Sequence, residues 1–218
     1  MTLGSVTSSD VNYAGKNPDD VSVTNVDNET ASITVSALSG NTTEMGGTAT
    51  FTVVLDNQPT ADVSIAVSSS DTSEATISPS SLTFDSSNYS TLQTVTVTGV
   101  DDFYDDDNVS YTITVDPSSS IASYNTMTSS TFTGSNINND TAAITVGAKS
   151  GNTSEFGTTA TINVTLATIP TANVSIVVTD NDSTEVSITP TTLTITPSTW
   201  NTTNQVTLTG QDDSDNDG

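Results

Sequence analysis

Short segments in which apolar residues alternate with polar ones dominate this chain. In the clearest segment Ala49, Phe51, Val53 and Leu55 occupy every second position, and the positions before and between them are mostly Thr. This period of two places the two sets of side chains on opposite faces of a half-buried strand. Similar alternations, parted by Gly, Pro, Asn, Asp and Ser, occur at 33–35, 63–67, 82–84, 95–97, 109–115 and, more weakly, 127–132. The pattern predicts an all-β chain of immunoglobulin-like Greek-key β-sandwiches with about seven strands each.

The whole pattern recurs at an offset of 111 residues. The matched pairs include Glu44 with Glu155, Asp71 with Asp182, Gly99 with Gly210 and, in the other direction, Tyr13 with Tyr124. We therefore expect residues 30–140 to form one complete repeat. Residues 1–29 are then the C-terminal strands of a preceding repeat, and 141–218 begin a following repeat that lacks its last strands. Self-similarity at a fixed period is typical of a long array of domains.

Composition narrows the class of protein. The chain has no Cys and no His, which excludes disulfide scaffolds and the usual zinc ligands. Its formal charge is −24, with 26 acidic residues against two lysines, so we expect no binding to nucleic acid and expect cations as partners. No apolar run approaches the roughly 18 residues needed to span a bilayer. These features favour an extracellular or cell-surface protein.

Several segments together resemble a Calx-beta repeat. They are Glu44 to Gly47 (EMGG) with the Thr-rich strand after it, the Pro59 turn, the Asp71 loop, Ser81 to Phe84 (SLTF) and Thr94 to Asp107 (TVTVTGVDDFYDDD). The resemblance covers the complete repeat and, through the offset, both partial ones. It implies an immunoglobulin-like sandwich that binds calcium in loops at one end, of the kind found in tandem in large bacterial surface or secreted proteins.

The chemistry of the acidic loop agrees with that implication. Asp101, Asp102, Asp105, Asp106 and Asp107 place five carboxylates in seven positions, where unit charges a few Å apart repel by roughly 4 kcal/mol per close pair. Ca²⁺ is the expected counterion because it accepts six to eight oxygen ligands in flexible geometry. In the predicted sandwich the loops that hold Glu44, Asp71, the acidic run and Asp140 share one end. The predicted calcium ligands of the other two repeats are Glu155, Asp182, Asp212, Asp213, Asp215 and Asp217, and Asp27 and Glu29.

Two smaller features concern the backbone and the core. Gly46 and Gly157 follow the matched glutamates, and we expect a positive φ or a bulge there. Tyr89 and Trp200 are matched between two strand segments, and we expect each to plug the edge of its sandwich.

The functional hypothesis is a calcium-binding repeat of an extracellular stalk, adhesin or filament, in which ions stiffen the junctions between neighbouring repeats. Catalysis is not expected, because a glycosidase-like acid needs an apolar pocket and these acids lie in polar loops. Two alternatives stay open. One is an adhesive module that binds glycan or protein. The other is a filament subunit whose N-terminal arm completes the partial C-terminal domain of another subunit by β-strand addition.

Overall fold

The structure, a computed structural model, describes residues 1–214. The chain is all-β, as predicted. Its one helix, α1, is a single turn at Ala122–Asn125, so residues 1–214 hold no helix that reaches across a bilayer. Asp215 and Asp217, two of the predicted calcium ligands, lie outside the described residues.

Residues 33–137 form two packed sheets. One sheet has the strand order β1-β3-β7-β5 and the other has the order β2-β9-β8-β4-β6. The nine strands are β1 (Ile33–Val35), β2 (Thr42–Thr43), β3 (Thr48–Leu55), β4 (Val63–Ser69), β5 (Ala75–Ser78), β6 (Ser81–Phe84), β7 (Gln93–Gly99), β8 (Val109–Ser119) and β9 (Ser130–Ile137). Two of them, β2 and β5, were not predicted, which is why the count exceeds seven. The last predicted strand lies later than expected, because α1 and the residues after it occupy the chain up to Ser129.

The core lies between the two sheets and follows the predicted alternation. Ala49, Phe51, Val53 and Leu55 of β3 are each at most 2% exposed, whereas the Thr residues between them face outward. Phe51 meets Phe132 of the opposite sheet edge to face, with ring centroids 4.9 Å apart. Burying each large apolar side chain of this kind contributes roughly 1.5–3 kcal/mol. The sheets therefore form a β-sandwich.

The second set of strands repeats the first at the 111-residue offset. Residues 144–210 contain β10 (Ile144–Val146), β11 (Thr159–Leu166), β12 (Val174–Val177), β13 (Val186–Thr189), β14 (Thr192–Ile195) and β15 (Asn204–Gly210). Their sheets have the orders β10-β11-β15-β13 and β12-β14. Ile144 pairs with Leu166 as Ile33 pairs with Leu55. At this offset the counterparts of β8 and β9 would fall after residue 218. The domain boundaries 1–29, 30–140 and 141–218 stay a prediction.

Candidate metal centre

Four chain segments meet at one end of the first sandwich. β2 runs parallel to β9, with Thr43 opposite Ile137, so Glu44 and residues 138–140 leave the sheet side by side. The β4–β5 turn brings Asp71 and Glu74 to this end, and the loop after β7 brings residues 100–108. The strands thus bring together, at one end of the sandwich, acidic side chains that are distant in sequence. The sequence predicted that these loops share one end.

Two glycines allow this close approach. A Cβ on Gly99, the last residue of β7, would collide with the backbone carbonyl of Thr43 and the side chain of Asn136. Gly210 has the same relation to Ser154 in the second repeat. Gly46 has φ +78° and Gly157 has φ +71°, so the predicted positive φ is confirmed at both positions. In the first repeat, the close approach at Gly99 and the backbone conformation of Gly46 place Glu44 beside the acidic loop.

Three carboxylates form the centre of the cluster. One oxygen from each of Glu74, Asp102 and Asp106 lies within 4.8 Å of the other two. Two oxygens bound to one Ca²⁺ at about 2.4 Å can be at most about 4.8 Å apart, so this trio has the spacing of ligands to a single ion. Glu74 is 6% exposed, Asp102 is half-buried and Asp106 is exposed. The trio therefore combines one buried anion with two acids that reach it from the loop.

Glu44 and Asp140 border a second part of the cluster. Together with Gly99, Asp101 and Asp102 they line a cavity of about 560 Å³. Glu44 is 2% exposed, and its Oε2 accepts a hydrogen bond from the backbone N–H of Asn139 at 2.8 Å. The Oδ2 atom of Asp140 is buried and has no hydrogen-bond partner among the described residues. A buried anionic oxygen without a partner is costly, and a bound cation is one way to satisfy it.

The electrostatics of the cluster raise several pKa values. Burial, followed by repulsion from Asp102 and Asp106, raises the pKa of Glu44. Burial also leads in raising the pKa of Glu74, where Asp106 and Asp102 are again the nearest like charges. The pKa of Asp106 and that of Asp140 are raised for the same two reasons. This end of the sandwich therefore favours the binding of either protons or a cation.

A buried amide holds Glu74 in place. Asn136 of β9 is 1% exposed, and its Nδ2 donates to Glu74 Oε2 at 3.3 Å and to the carbonyl of Val100 at 2.9 Å. Its Oδ1 accepts from the hydroxyl of Thr42 at 3.0 Å. The Thr42 hydroxyl is in turn 3.1 Å from that of Tyr111. The network joins β2, β8 and β9 to the cluster and restricts the orientation of Glu74.

The predicted ligand Asp71 lies in the β4–β5 turn. Its Oδ1 accepts from the backbone N–H of Ser73 at 3.0 Å and from the hydroxyl of the same residue, so it caps its own turn. These hydrogen bonds lower the pKa of Asp71. Glu74, three residues later, is the acid that reaches the trio. Sequence reasoning missed Glu74, although Glu185 matches it at the 111-residue offset and could have shown it.

Other acids of the run lie at the edge of the cluster. Asp101 borders the cavity beside Asp140, and Asp107 adopts a left-handed backbone with φ +65°. Asp105 faces the next repeat. Its Oδ2 accepts from the backbone N–H of Ala142 at 2.8 Å, and its Oδ1 accepts from Asn138 Nδ2 at 3.3 Å. One face of the loop therefore carries the trio and the other carries the junction.

The predicted ligands of the partial repeats are not gathered in the same way. Glu155, Asp182 and Asp212 are exposed, and Asp182 caps Thr184 as Asp71 caps Ser73. Asp213 is half-buried. Among residues 141–214 no trio with ligand spacing is found. Asp27 and Glu29 lie beside Asn57 and Tyr124, at the opposite end of the first sandwich from the cluster.

No protein-family model matches the chain, and no curated protein matches its sequence. Solved structures similar to it include CBD12 from CALX1.2, with TM-score 0.34, 13% identity and coverage of 81% of this chain and 73% of that one. The E. coli chaperone DraB has TM-score 0.36, 9% identity and coverage of 86% and 89%. Domains 5-6 of the S-layer protein SbsC have TM-score 0.29, 18% identity and coverage of 86% of each chain. Because these TM-scores are below 0.5, the similarities carry no conclusion about family or function.

Proposed function

We propose that this chain is a calcium-binding structural module of an extracellular or cell-surface stalk, in which the ion stiffens the junction between consecutive sandwiches. The observation that carries the proposal is the ligand spacing of Glu74, Asp102 and Asp106. The buried, unpartnered oxygen of Asp140 and the buried Glu44 support it. Ca²⁺ fits better than Mg²⁺ because carboxylates from several loops supply a large and irregular set of oxygens.

The acidic loop connects such a site to the junction. Beyond the hydrogen bond from Ala142 to Asp105, the carbonyl of Phe103 accepts from the backbone N–H of Ile169 at 2.8 Å. The ring of Phe103 also meets the partly buried Trp200, with centroids 5.5 Å apart. An ion that fixes Asp102 and Asp106 would therefore also restrain Phe103 and Asp105, which touch the next repeat. The expected consequence is a stiffer junction with calcium than without it.

Binding tests the first part of the proposal. Titration calorimetry of the full chain with Ca²⁺ should show binding in the range of about 10⁻⁴–10⁻³ M that extracellular modules use, and much weaker binding of Mg²⁺. Glu74→Gln should weaken the calcium affinity at least tenfold, because it removes one anionic ligand but keeps an oxygen for Asn136. Asp62→Asn removes the same charge at the opposite end of β4 and serves as the matched control. Equal affinities for the wild type and both variants would contradict this site.

Solution scattering tests the second part. Chelation should shorten the mean end-to-end distance or broaden its distribution. Phe103→Ala should produce part of that change while calcium is present. Scattering profiles that coincide in calcium and in chelator would exclude the stiffening role even if calcium binds. The chain is proposed as a non-catalytic protein with calcium and neighbouring repeats as its partners, and the adhesive alternative with glycan partners stays a prediction.

A further inference from the structure

A chain of four polar side chains runs from the second sheet of the first sandwich to the acidic cluster. Its members are Tyr111 of β8, Thr42 of β2, Asn136 of β9 and Glu74 of the β4–β5 turn. All four are buried, so they depend on one another, and not on water, for hydrogen bonds. Whatever fixes the arrangement of this chain therefore also fixes Glu74, the innermost acid of the trio.

The directions of the hydrogen bonds in this chain follow from counting protons. The Oδ1 atom of Asn136 can only accept, and among residues 1–214 its one donor is the Thr42 hydroxyl at 3.0 Å. Thr42 has a single proton to give, and its other acceptor, the Ser135 carbonyl, is more distant at 3.3 Å. The Tyr111 hydroxyl, 3.1 Å from that of Thr42, must then donate to it. The chain therefore runs in one direction, and it ends in the N–H donors of Asn136.

These donors of Asn136 hold both sides of the trio. The Nδ2 atom donates to Glu74 Oε2 at 3.3 Å and to the carbonyl of Val100 at 2.9 Å. The N–H of Val100 in turn donates to the carbonyl of Glu74 at 3.0 Å, so the three residues close a ring of hydrogen bonds. Val100 is the first residue of the loop that carries Asp102 and Asp106. One amide thus fixes the acid of the turn relative to the loop that supplies the other two.

Close packing leaves the amide of Asn136 little room to turn away. A Cβ on Gly99 would collide with its Oδ1 atom, so the amide lies directly against the backbone of β7. The freedom that remains is which end of the amide faces Glu74. A reversed amide would point its oxygen at the acceptors of Glu74 and Val100 and its nitrogen at the Thr42 hydroxyl, which would then have to give up its own donation. The Thr42 donor and the two acceptors therefore favour the same orientation.

We propose that Asn136 is a positioning residue of the calcium site and that the Thr42 hydroxyl sets its orientation, an inference that rests on the proposed calcium function. Neither side chain is proposed as a ligand. Asn136 acts by holding the Glu74 carboxylate and the start of the acidic loop in place before the ion arrives, so that binding does not have to order them. Tyr111 has no such role, because its hydrogen bond ends at Thr42.

Titration calorimetry of the full chain with Ca²⁺ tests this role in paired variants. Thr42→Val keeps the shape of the side chain but removes the hydroxyl, and it should weaken calcium binding by about threefold to tenfold. Thr42→Ser keeps the hydroxyl and should restore the wild-type affinity. Tyr111→Phe is the matched control, because it removes a buried hydroxyl from the same chain but leaves Thr42 donating to Asn136. Its calcium affinity should stay within about twofold of the wild-type value although its stability falls.

Asn136→Leu removes both donors at once and should weaken calcium binding by about tenfold or more. Denaturant unfolding in chelator gives the stability of each variant without the ion, so a loss of affinity can be compared with a loss of stability. If the chain of hydrogen bonds only supports the fold, affinity should follow stability, and Thr42→Val and Tyr111→Phe should lose affinity together. The positioning role predicts that Thr42→Val and Asn136→Leu lose affinity and that Tyr111→Phe does not.

Equal calcium affinities of the wild type and Thr42→Val, or equal losses in Thr42→Val and Tyr111→Phe, would overturn the positioning role and leave the calcium site in place. The comparison of Thr42→Val with Thr42→Ser decides the question even if Asn136→Leu does not fold. A wild-type chain that binds no calcium would overturn the proposed function together with this role. The wild type alone therefore distinguishes the two failures.

Discussion

Replacing Glu74 with Gln should stabilise the chain without calcium and reduce the stability that calcium adds. The carboxylate oxygens of Glu74, Asp102 and Asp106 lie within 4.8 Å of one another. At an effective dielectric constant near 20, two unit charges at that distance repel by about 3.5 kcal/mol. Because Asp102 and Asp106 are partly solvated, screening leaves about 1–2 kcal/mol of this for the two pairs that contain Glu74. The substitution should therefore raise the free energy of unfolding in chelator by about that amount.

With calcium this advantage should largely disappear. A site that is 100-fold above its dissociation constant stabilises the folded state by about 2.7 kcal/mol. The wild-type chain should gain that much in calcium, whereas Glu74→Gln should gain about 1.4 kcal/mol or less, because its affinity is at least tenfold weaker. The smaller gain of the variant offsets the stability that relief of repulsion gives it in chelator.

Denaturant unfolding measures this difference in the stability that calcium adds. Curves for the wild type, Glu74→Gln and the control Asp62→Asn, recorded in calcium and in chelator, give six free energies of unfolding. A Glu74→Gln variant that is less stable than the wild type by the same amount in both conditions would refute the reasoning. That result would mean that repulsion within the trio costs little stability and that calcium does not bind through Glu74.

Two further predictions concern the same end of the sandwich. Gly99→Ala should destabilise the chain by more than about 2 kcal/mol in thermal unfolding, because the added Cβ meets the Thr43 carbonyl and Asn136 and one of them must move. Gly151→Ala is the control, since a Cβ there meets nothing within 4 Å. Equal effects of the two substitutions would contradict the close packing at Gly99. In chelator, the raised pKa values of Glu44 and Glu74 mean that the folded state binds these protons more tightly than the unfolded chain, so stability should rise as pH falls from neutral towards the ordinary Glu value of 4.5. In calcium, stability should instead fall as pH falls, since protons compete with the ion. Chemical denaturation at stepwise lower pH measures both trends, and the same pH dependence in calcium and in chelator would contradict the prediction.

The hydrophobic pattern predicted most of the fold because strand alternation records burial directly. Ala49 to Leu55 follow a period of two and all four apolar positions are buried. β2 was missed because it has two residues and is held by side-chain hydrogen bonds of Thr42, not by an apolar alternation. β5 was missed because Ala75 and Ile77 are its only apolar residues and a short strand of that composition resembles a turn. Length and local composition thus limited the prediction of strands.

The gathering of acids at one end of the sandwich was predicted, but its innermost acid was not. Loops at the same end of a sandwich lie close together. Glu44, the acidic run and Asp140 were therefore expected to be neighbours. Which acid of the β4–β5 turn points inward depends on the turn geometry, where Asp71 caps Ser73 and leaves Glu74 facing Asn136. A carboxylate that caps its own turn and one that faces a buried amide look the same in a sequence.

The network around Asn136 also explains why completion of a sandwich and formation of its acidic site should be one event. Asn136 and Asp140 belong to the last strand of the repeat and the residues after it, whereas Glu44 and Glu74 belong to its beginning and middle. Without the last strand, the amide that orients the inner glutamate and the N–H that binds Glu44 are both missing. A calcium ion at such a site would therefore stabilise the closure of the sandwich by its final strand.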